Sequence, residues 1–485
     1  MIVTIKTMKE CEQNSTLSTL ELMDQVGFKL AQEIIKRHHN EKIVVLCGKG
    51  NNGGDGYILA KYLNEAGFNV KVYPLFDEQS TSESKKNRTK CKKIITNDLS
   101  DIKSADILID AIFGFGFSGN IPNDLRELFR LVNDLDSIKY AIDINSGAEA
   151  DTGNFDNDAI CSDITFALGY KKIFHQLRKD HFLFKECDLI SLDIAESKTS
   201  DLVEMDDNIF MNQFPILKED AYKGSEGKPL IVGGSYGMAG ATLLNIMGAK
   251  ASGSSYIHVL CHEKIYPLLQ ANEITPVFHP FTKDTVVSTF NNVVNEAKCI
   301  CFGSGANYLD CKNKLFEMIL QQTVCPVVLD AEAIRMLKND LYLLKLIKTP
   351  VILTPHIHEF SSLVGLPIET IQANRIEIAK SFAKEYKVIL VLKGPHTLVV
   401  SPTQDLYINQ TGNAALAKAG SGDFLTGLIT GLLSQKRDLY QAVVMAVWLH
   451  GKAADLAIAS HHPKMVTIES LVDYIDEFLY SNLNI

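Results

Sequence analysis

Ten short, β-branched runs bounded by Gly, Asp or Pro punctuate the chain: KIVVLC (42–47), VKVYPL (70–75), ADILID (105–110), YAID (140–143), PLIVGG (229–234), YIHVL (256–260), CICFG (299–303), PVVLD (326–330), PVILT (350–354) and KVILVL (387–392). Most are separated by segments of amphipathic helical period, such as GGDGYILAKYLNEAGF and GMAGATLLNIMGAKASG. A strand that is apolar along its whole length must be buried on both faces, and helices between strands are what covers those faces. The expected class is therefore α/β, with parallel sheets in both halves. At roughly 100–200 residues per domain, 485 residues call for more than one. AESKTSDLVEMDDN (195–208) is polar, acidic and without a core pattern, so it is the natural boundary, giving expected domains 1–205 and 209–485. The halves do not share motifs, so no internal repeat is read.

The formal net charge of −10 argues against a broad nucleic-acid surface, which draws on clustered Lys and Arg. The basic stretch KKNRTKCKK (85–93) reads as a solvated helix face within an acidic whole. Ten cysteines occur without a CxxC, and the closest pair, Cys299 and Cys301, lies in a strand. They read as reduced core thiols, which implies a cytoplasmic location. No apolar run approaches the ~18 residues of a membrane-spanning helix. The start, MIVTIKTMKECEQNS, lacks the apolar stretch of a signal peptide. Neither a nucleic-acid partner nor a membrane is expected.

Several motifs are less than they look. Gly48-Lys49-Gly50-Asn51-Asn52-Gly53 satisfies GxGxxG after a strand, with Asp77 downstream. The polar Asn51, Asn52 and Asp55 fit badly with a pyrophosphate turn built of bare glycines and backbone amides, so an ordinary dehydrogenase is disfavoured. Gly233-Gly234-Ser235-Tyr236-Gly237 satisfies GxSxG, but continues into the small residues Met238-Ala239-Gly240-Ala241, better suited to a ligand's close approach than to one strained serine. Asp151-Thr152-Gly153 has no second copy to share an aspartic-protease site. His356 and His358 lack the cysteines or HExxH helix of a zinc centre, although His356 remains a candidate ligand contact.

Three clusters in the first half fall at strand ends: GKGNNGGDG (48–56), DAIFGFGFSGN (110–120) and DINSGAEADTG (143–153). In a doubly wound sheet these ends line one crevice. Asp110, Asp143, Asn52 and Ser146 would converge there as oxygen donors for a hard cation, and the glycines would admit phosphates. The bland alternative is that each Asp caps a turn. In the second half, Gly420-Ser421-Gly422-Asp423 opens an apolar helix within NQTGNAALAKAGSGDFLTGLITGLLSQ (409–435). Free N–H groups at a helix start make an anion hole. A carboxylate at its lip makes sense as a base for a hydroxyl undergoing phosphoryl transfer, or else as a helix cap. KGPHTLVV (393–400), a strand end and hairpin, supplies Lys393 and backbone groups for a nucleotide.

Together these motifs resemble those of the bifunctional NAD(P)H-hydrate repair enzymes along almost the whole chain. The first half is similar to their epimerase domain, marked by NNGGDG (51–56), the strand-end Asp110 and a D-x-x-SG motif from Asp143 to Gly147. The second resembles their ADP-dependent dehydratase, marked by GGSxGMxGA (233–241), TPHxxEF (354–360), KGxxT (393–397) and GSGD (420–423). The resemblance implies a Rossmann-like doubly wound first domain and a ribokinase-like α/β/α second domain. It further implies that Asn51, Asn52, Gly53, Gly54 and Asp55 contact the hydrated nucleotide, and that the loop Gly114, Phe115, Gly116, Phe117, Ser118, Gly119, Asn120 holds it. Asn52, Asp110 and Ser146 would bind K⁺, with Asp143 near the reacting carbon. Ala241, Gly305, His356 and Asp423 would face the hydrate in the second domain. Lys393, Gly394, Pro395, His396, Thr397 and Gly422 would face the adenine nucleotide. The chain departs from the family at Asn145, usually Pro, at Gly305-Ala306-Asn307, usually Gly-Leu-Gly, and at His358, usually Gly.

The implied substrates are NADHX and NADPHX, the hydrated cofactors, with ADP as phosphoryl donor, Mg²⁺ beside it and a homo-oligomeric assembly. The implied catalytic groups are Asp423 for dehydration and Asp143 for epimerisation. The rival reading is a vitamin or sugar kinase with a nucleotide-binding regulatory first domain, since GSGD serves kinases equally well.

Overall fold

Each of the ten apolar runs forms a strand in the computed structural model, which describes residues 2–177, 182–196, 202–217, 219–435 and 438–482. The chain divides into two units, Met1–Leu202 and Val203–Ile485. Of the boundary stretch 195–208, residues 197–201 lie outside the described residues. The second unit begins a few residues before 209 because Val203 already pairs with Tyr407, its N–H reaching Leu406 O at 2.8 Å. Asp206 caps the helix Asp207–Gln213, whose Phe210 stacks on Trp448 in the core of that unit.

In the first unit a small pair, β1 (Ile2–Val3) with β7 (Lys171–Lys172), accompanies a six-stranded parallel sheet. That sheet comprises β2 (Lys42–Cys47), β3 (Asn69–Pro74), β4 (Ile107–Ala111), β5 (Ile138–Ile142), β6 (Ser162–Leu168) and β8 (Phe184–Ile190), in the order β3-β2-β4-β5-β6-β8. The chain steps from β2 to β3 on one side and returns to β4 on the other, so the crevice lies beyond the carboxyl ends of β2 and β4. Apolar clusters cover both sheet faces, one around Val26, Leu30 and Tyr57, the other around Phe129 and Ile102.

Among its described residues the second unit carries nine strands: β9 (Pro229–Val232), β10 (His258–His262), β11 (Val277–Phe281), β12 (Cys299–Phe302), β13 (Val327–Leu329), β14 (Val351–Leu353), β15 (Ile389–Leu392), β16 (Leu398–Val400) and β17 (Leu406–Ile408). Their order is β11-β10-β9-β12-β13-β14-β15-β16-β17, parallel as far as β15 and antiparallel through the closing hairpins. The reversal here falls between β9 and β12. Besides the two-residue β1 and β7 and the hairpin strand β16, the ten runs omit β6, an interior strand whose apolar run is broken by Asp163 and Thr165, and β8, β11 and β17, which are sheet edges. An edge need not be continuously apolar, and Lys185, Glu186 and Pro280 lie exposed on these strands.

Two helices of this unit, Ala239–Ala251 and Ser421–Gln435, cross at backbone distance. A Cβ on Gly248 would lie 2.1 Å from Phe424 O, and one on Gly427 would lie 2.1 Å from Asn245 O. The crossing brings the start of each helix to the same end of the sheet. The helix Leu439–Ser460 corrects one expectation: it has 22 residues, and an 18-residue stretch of it with a mean hydropathy of 1.4 is long and apolar enough to cross a membrane. Most of that stretch is buried inside the unit, as in the core helix of a globular domain.

Candidate active sites

In the first unit, NNGGDG forms the opening turn of the helix Asn51–Glu65, directly after β2. Gly53 is required there, because a Cβ would lie 2.0 Å from Gly48 O. Asn52 donates from Nδ2 to Phe113 O at 3.0 Å, and Ser146 Oγ accepts from Phe113 N at 2.8 Å. Asp110, at the end of β4, accepts from Ser146 Oγ (2.5 Å), Ser146 N (2.7 Å) and Ile112 N (3.1 Å). Asn52, Asp110 and Ser146 are thus gathered around Phe113. Asp110 is 2% exposed, and burial pushes its carboxyl up to about 6 against the opposing pull of the Ser146 and Ile112 hydrogen bonds.

Asp143 follows β5 with φ of 67°, a strained left-handed backbone for a non-glycine residue. One carboxylate oxygen accepts from Phe115 N at 3.0 Å, which ties Asp143 to the loop 114–120. The other meets the ammonium of Lys172 at 2.5 Å. Lys172 is completely buried and also donates to Leu168 O at 2.8 Å. His175 Nδ1 accepts from Lys172 N (2.9 Å), so its Nε2–H donates to Asp143 O (2.7 Å). Burial and the Lys172 charge push this imidazole down to about 4, keeping it neutral. Two more carboxyls face the cluster. Burial first, then Asp143, lifts Glu12 to about 7 and holds Asp55 well above the carboxylate range.

The substrate loop itself is open. Gly116, Ser118, Gly119 and Asn120 are exposed, Phe117 stacks on Phe113 at 4.8 Å, and Gly114 packs against Asn52. Asn51 is exposed at the helix start, whereas Gly54 is buried against Met23. Asn145, where the family's proline is expected, is fully buried and donates to Ile160 O, Ser162 Oγ and Leu183 O while accepting from Thr165 Oγ1.

In the second unit, the loops after β9 and β12 meet. Gly234 N donates to Ser304 O at 3.0 Å and Ser235 Oγ to Gly305 O at 2.7 Å, so the GxSxG serine is a buried loop tie. Gly305 has φ of 64°, and a Cβ there would lie 3.1 Å from that of Ala241, which places these two predicted contacts side by side. Asn307, in the altered loop, accepts from Lys312 through its carbonyl.

The GSGD segment behaves as an open helix start. The first bond of the ladder runs from Phe424 N to Gly420 O, leaving the Gly422 and Asp423 N–H groups outside it. Asp423 is half-buried, and burial followed by the neighbouring Asp330 lifts its carboxyl to about 6. A hydrogen bond from Ser304 and the charge of Lys393 oppose the rise. A Cβ on Gly422 would lie 3.1 Å from Lys393 Nζ, so the ammonium stands against the anion hole. The segment from Lys393 to Thr397 is braced by Arg375, which donates to Pro395 O (2.8 Å) and Leu392 O (3.1 Å). His396 adopts φ of 50°, Gly394 φ of 147°, and Thr397 Oγ1 donates to Gly394 O. His356 caps the helix Ile357–Val364, accepting on Nδ1 from the backbone of His358 and Glu359, and its ring is half-exposed toward the same end of the sheet. His358 is exposed beside it.

Sequence reasoning gave no role to four groups: Lys172, Glu12, Asp330 and Glu359, although Glu359 is the acidic residue of TPHxxEF. Asp330 stood in plain view at the end of PVVLD, a strand end in an α/β fold, and that was the available signal.

Two doubly wound units, each with a glycine-rich loop and a helix start at its topological switch point, define an enzyme that handles nucleotides. The NAD(P)H-hydrate dehydratase family model matches residues 229–477, and the model of the YjeF-related protein N-terminus matches 19–174. The bifunctional NAD(P)H-hydrate repair enzyme Nnr of Dictyoglomus turgidum is 30% identical over 92% of this chain and 91% of its own length. The Nnr of Moorella thermoacetica is 29% identical over 95% and 92%. The second unit is similar to the crystal structure of a Bacillus subtilis ADP/ATP-dependent NAD(P)H-hydrate dehydratase co-crystallised with ATP/Mg²⁺ (TM-score 0.50, 30% identity, 57% of this chain, 97% of that one). A ribokinase-like superfamily protein from Enterococcus faecalis V583 shares the fold (TM-score 0.52, 22% identity, 59% of this chain, 98% of that one). The chain belongs to the family of bifunctional NAD(P)H-hydrate repair enzymes.

Proposed function

We propose that the chain restores NADH and NADPH that have gained water across the nicotinamide ring, with the first unit interconverting the two C6 epimers and the second dehydrating one of them at the expense of ADP. The observation that carries the dehydratase half is Asp423, a carboxylate lifted to about 6 at the lip of an open helix start beside Lys393. Hydroxide is a poor leaving group. Asp423 takes the proton from the C6 hydroxyl as that oxygen attacks the terminal phosphorus of the nucleotide, and the phosphoryl–oxygen bond to AMP breaks. The ring nitrogen lone pair then expels phosphate, and loss of the neighbouring proton gives the dihydropyridine without net redox change. The Gly422 and Asp423 amides and the Lys393 ammonium oppose the charge that builds on the transferred group.

Asp330, Asp423 and Glu359 face the single ammonium of Lys393, so the pocket is acidic and suits a nucleotide that arrives with a divalent cation. Among the described residues no three His, Cys, Asp or Glu side chains gather to hold a metal ion. Mg²⁺ would therefore ride on the phosphates, held in place through the residues that hold them, and would supply charge neutralisation.

In the first unit Asp110 is a buried carboxylate with no cationic side chain among its partners. With the Asn52 amide oxygen and the Ser146 hydroxyl it fits a hard monovalent ion, and K⁺ is the proposed occupant. Bound there, it would supply positive charge behind the nucleotide loop. Asp143 is the proposed acid–base group at C6, held in orientation by Lys172 and Phe115 N. The reaction leaves both substrate and nucleotide small and soluble, and the cytoplasm is the proposed location.

The test is incubation of purified protein with mixed hydrate epimers, Mg²⁺ and either ADP or ATP freed of ADP, followed through the dihydropyridine absorbance. Complete restoration with release of free phosphate, faster with ADP, is expected. A phosphorylated product that accumulates would mark the vitamin or sugar kinase instead. An ATP rate equal to the ADP rate would remove the donor preference and leave the dehydratase standing.

A further inference from the structure

We infer that Asp330 is a positioning residue of the dehydratase: it pins the Lys393 ammonium and the first turns of the GSGD helix to the strand ends, so that Lys393 faces phosphate instead of pairing with Asp423. The inference rests on the function proposed above. Asp330 leaves the end of β13 and is 2% exposed. One of its oxygens accepts from Lys393 Nζ at 2.9 Å and from Thr354 Oγ1 at 2.8 Å. The other accepts from Thr426 Oγ1 at 3.0 Å, and Thr426 lies one turn beyond Asp423 on the same helix. One buried carboxylate therefore joins the ends of β13, β14 and β15 to the helix that carries the proposed base. The next residue, Ala331, is held at φ of 45°, a left-handed backbone that only a well-tied loop sustains in a non-glycine residue.

The arrangement matters because a lysine close to a general base is a hazard. A lysine ammonium is a point charge on a flexible stem, and unrestrained it would swing onto the nearest carboxylate. A salt bridge to Asp423 would lower that group's proton affinity and remove it from the substrate hydroxyl. Asp330 prevents this by taking the ammonium first, and its own negative charge raises the proton affinity of Asp423. The titratable groups around the pair are Lys393 at the end of β15, Glu359 of the helix Ile357–Val364 and its cap His356, whose imidazole burial pushes toward the neutral form, and Asp423 itself; His450 from Leu439–Ser460 is buried and neutral. Of these, Asp330 alone bonds both the lysine and the helix.

The test is the pH profile of kcat/KM for dehydration by the full chain. A base ionising near 6 gives a wild-type rate that climbs with pH through that value. In Asp330→Asn the like charge is gone and Lys393 is released toward Asp423, both of which lower the proton affinity of the base. The acid limb should move down by on the order of one pH unit, and kcat should fall on the order of 10²-fold as the misplaced base loses its alignment. A merely structural Asp330 would lower the rate at all pH values with the limb in place, and that result overturns the inference. Thr426→Val, isosteric and without charge change, covers the case in which Asp330→Asn does not fold. It cuts the tie to the helix and should lower kcat about tenfold with the nucleotide KM within about twofold, since alignment and not nucleotide binding is lost. An unchanged kcat in Thr426→Val overturns the inference equally. A wild-type enzyme that dehydrates nothing would instead sink the proposed function, so the two failures are told apart.

Discussion

At the scale of single residues, each unit places at least one carboxylate where burial works against its charge and a specific chemistry could use it. Asp423→Asn keeps the size of the side chain and removes the proton acceptor. Loss of a general base costs about 10²–10⁴ in rate, and dehydration should fall by that much while epimerisation and nucleotide binding persist. Restoration of dihydropyridine absorbance, read beside nucleotide titration, checks both parts; near-normal dehydration would reduce Asp423 to a helix cap. Asp110 is the corresponding residue of the first unit, buried without a cationic side chain beside it. Asp110→Ala should weaken epimerase activity and its response to K⁺ together and leave the dehydratase untouched. Activity that is independent of K⁺ in the wild type would make Asp110 a turn residue tied to Ser146 and nothing more. Asp110, Asp143 and Asp423 were legible in sequence because each ends a strand or opens a helix within a glycine-rich motif. Lys172 and Glu12 were not, because their significance lies in partners 29 and roughly 130 positions away; Asp330 was visible at a strand end, but its partner Lys393 lies 63 positions on. Only the folded topology brings those partners together; local spacing is blind to them.

At the scale of elements, the second site depends on the crossing of Ala239–Ala251 with Ser421–Gln435. The glycines at 248, 427 and 431 look like helix weaknesses in the sequence, since each lowers helix propensity. In the structure they are what allows the two backbones to touch: Gly431 faces Ser252 Oγ at 2.0 Å from where a Cβ would be. Gly427→Ala would insert a methyl group 2.1 Å from Asn245 O, and Asn245 also donates to Asp423 O at 2.6 Å. The clash cannot be relieved without moving that helix start. The expected cost of such overpacking is about 1–3 kcal/mol, read as a lower denaturation midpoint, together with a loss of dehydratase activity larger than the loss of folded protein. The same substitution at Gly240, where a Cβ meets nothing within 4 Å, should change the denaturation midpoint little. Equal effects at the two positions would show that helix propensity, not the crossing, governs. Element existence was plain from the sequence wherever a strand is a continuous apolar run. It failed at β8 and β11, where exposed residues interrupt the apolar signal, at the interior β6, where Asp163 and Thr165 do so, and at β17, whose buried run is only three residues long.

At the scale of the whole molecule, two units with their own sheets and their own apolar clusters should fold and act separately. The place of the cut decides whether that can be seen. A second fragment begun at 209 would lose Val203, whose N–H bonds Leu406 O, and the Asp206 cap of Asp207–Gln213. It would also lose Asp207, which pairs with Lys452 at 2.8 Å, while Phe210 would remain to cover Trp448 from a helix stripped of its start. Loss of an N-cap alone costs about 0.5–2 kcal/mol, and domains carry only ~5–15 kcal/mol in total. Residues 203–485 should therefore unfold at a clearly higher denaturant midpoint than residues 209–485, and should dehydrate one hydrate epimer with ADP at a rate close to that of the full chain. Residues 1–202 should fold alone and epimerise without nucleotide. Mixing the two fragments should restore complete repair of a mixed-epimer sample, because the epimers are exchanged through solution. A folded 203–485 fragment without dehydration, or a folded 1–202 fragment without epimerisation, would show that one activity needs both units and would overturn the two-site reading.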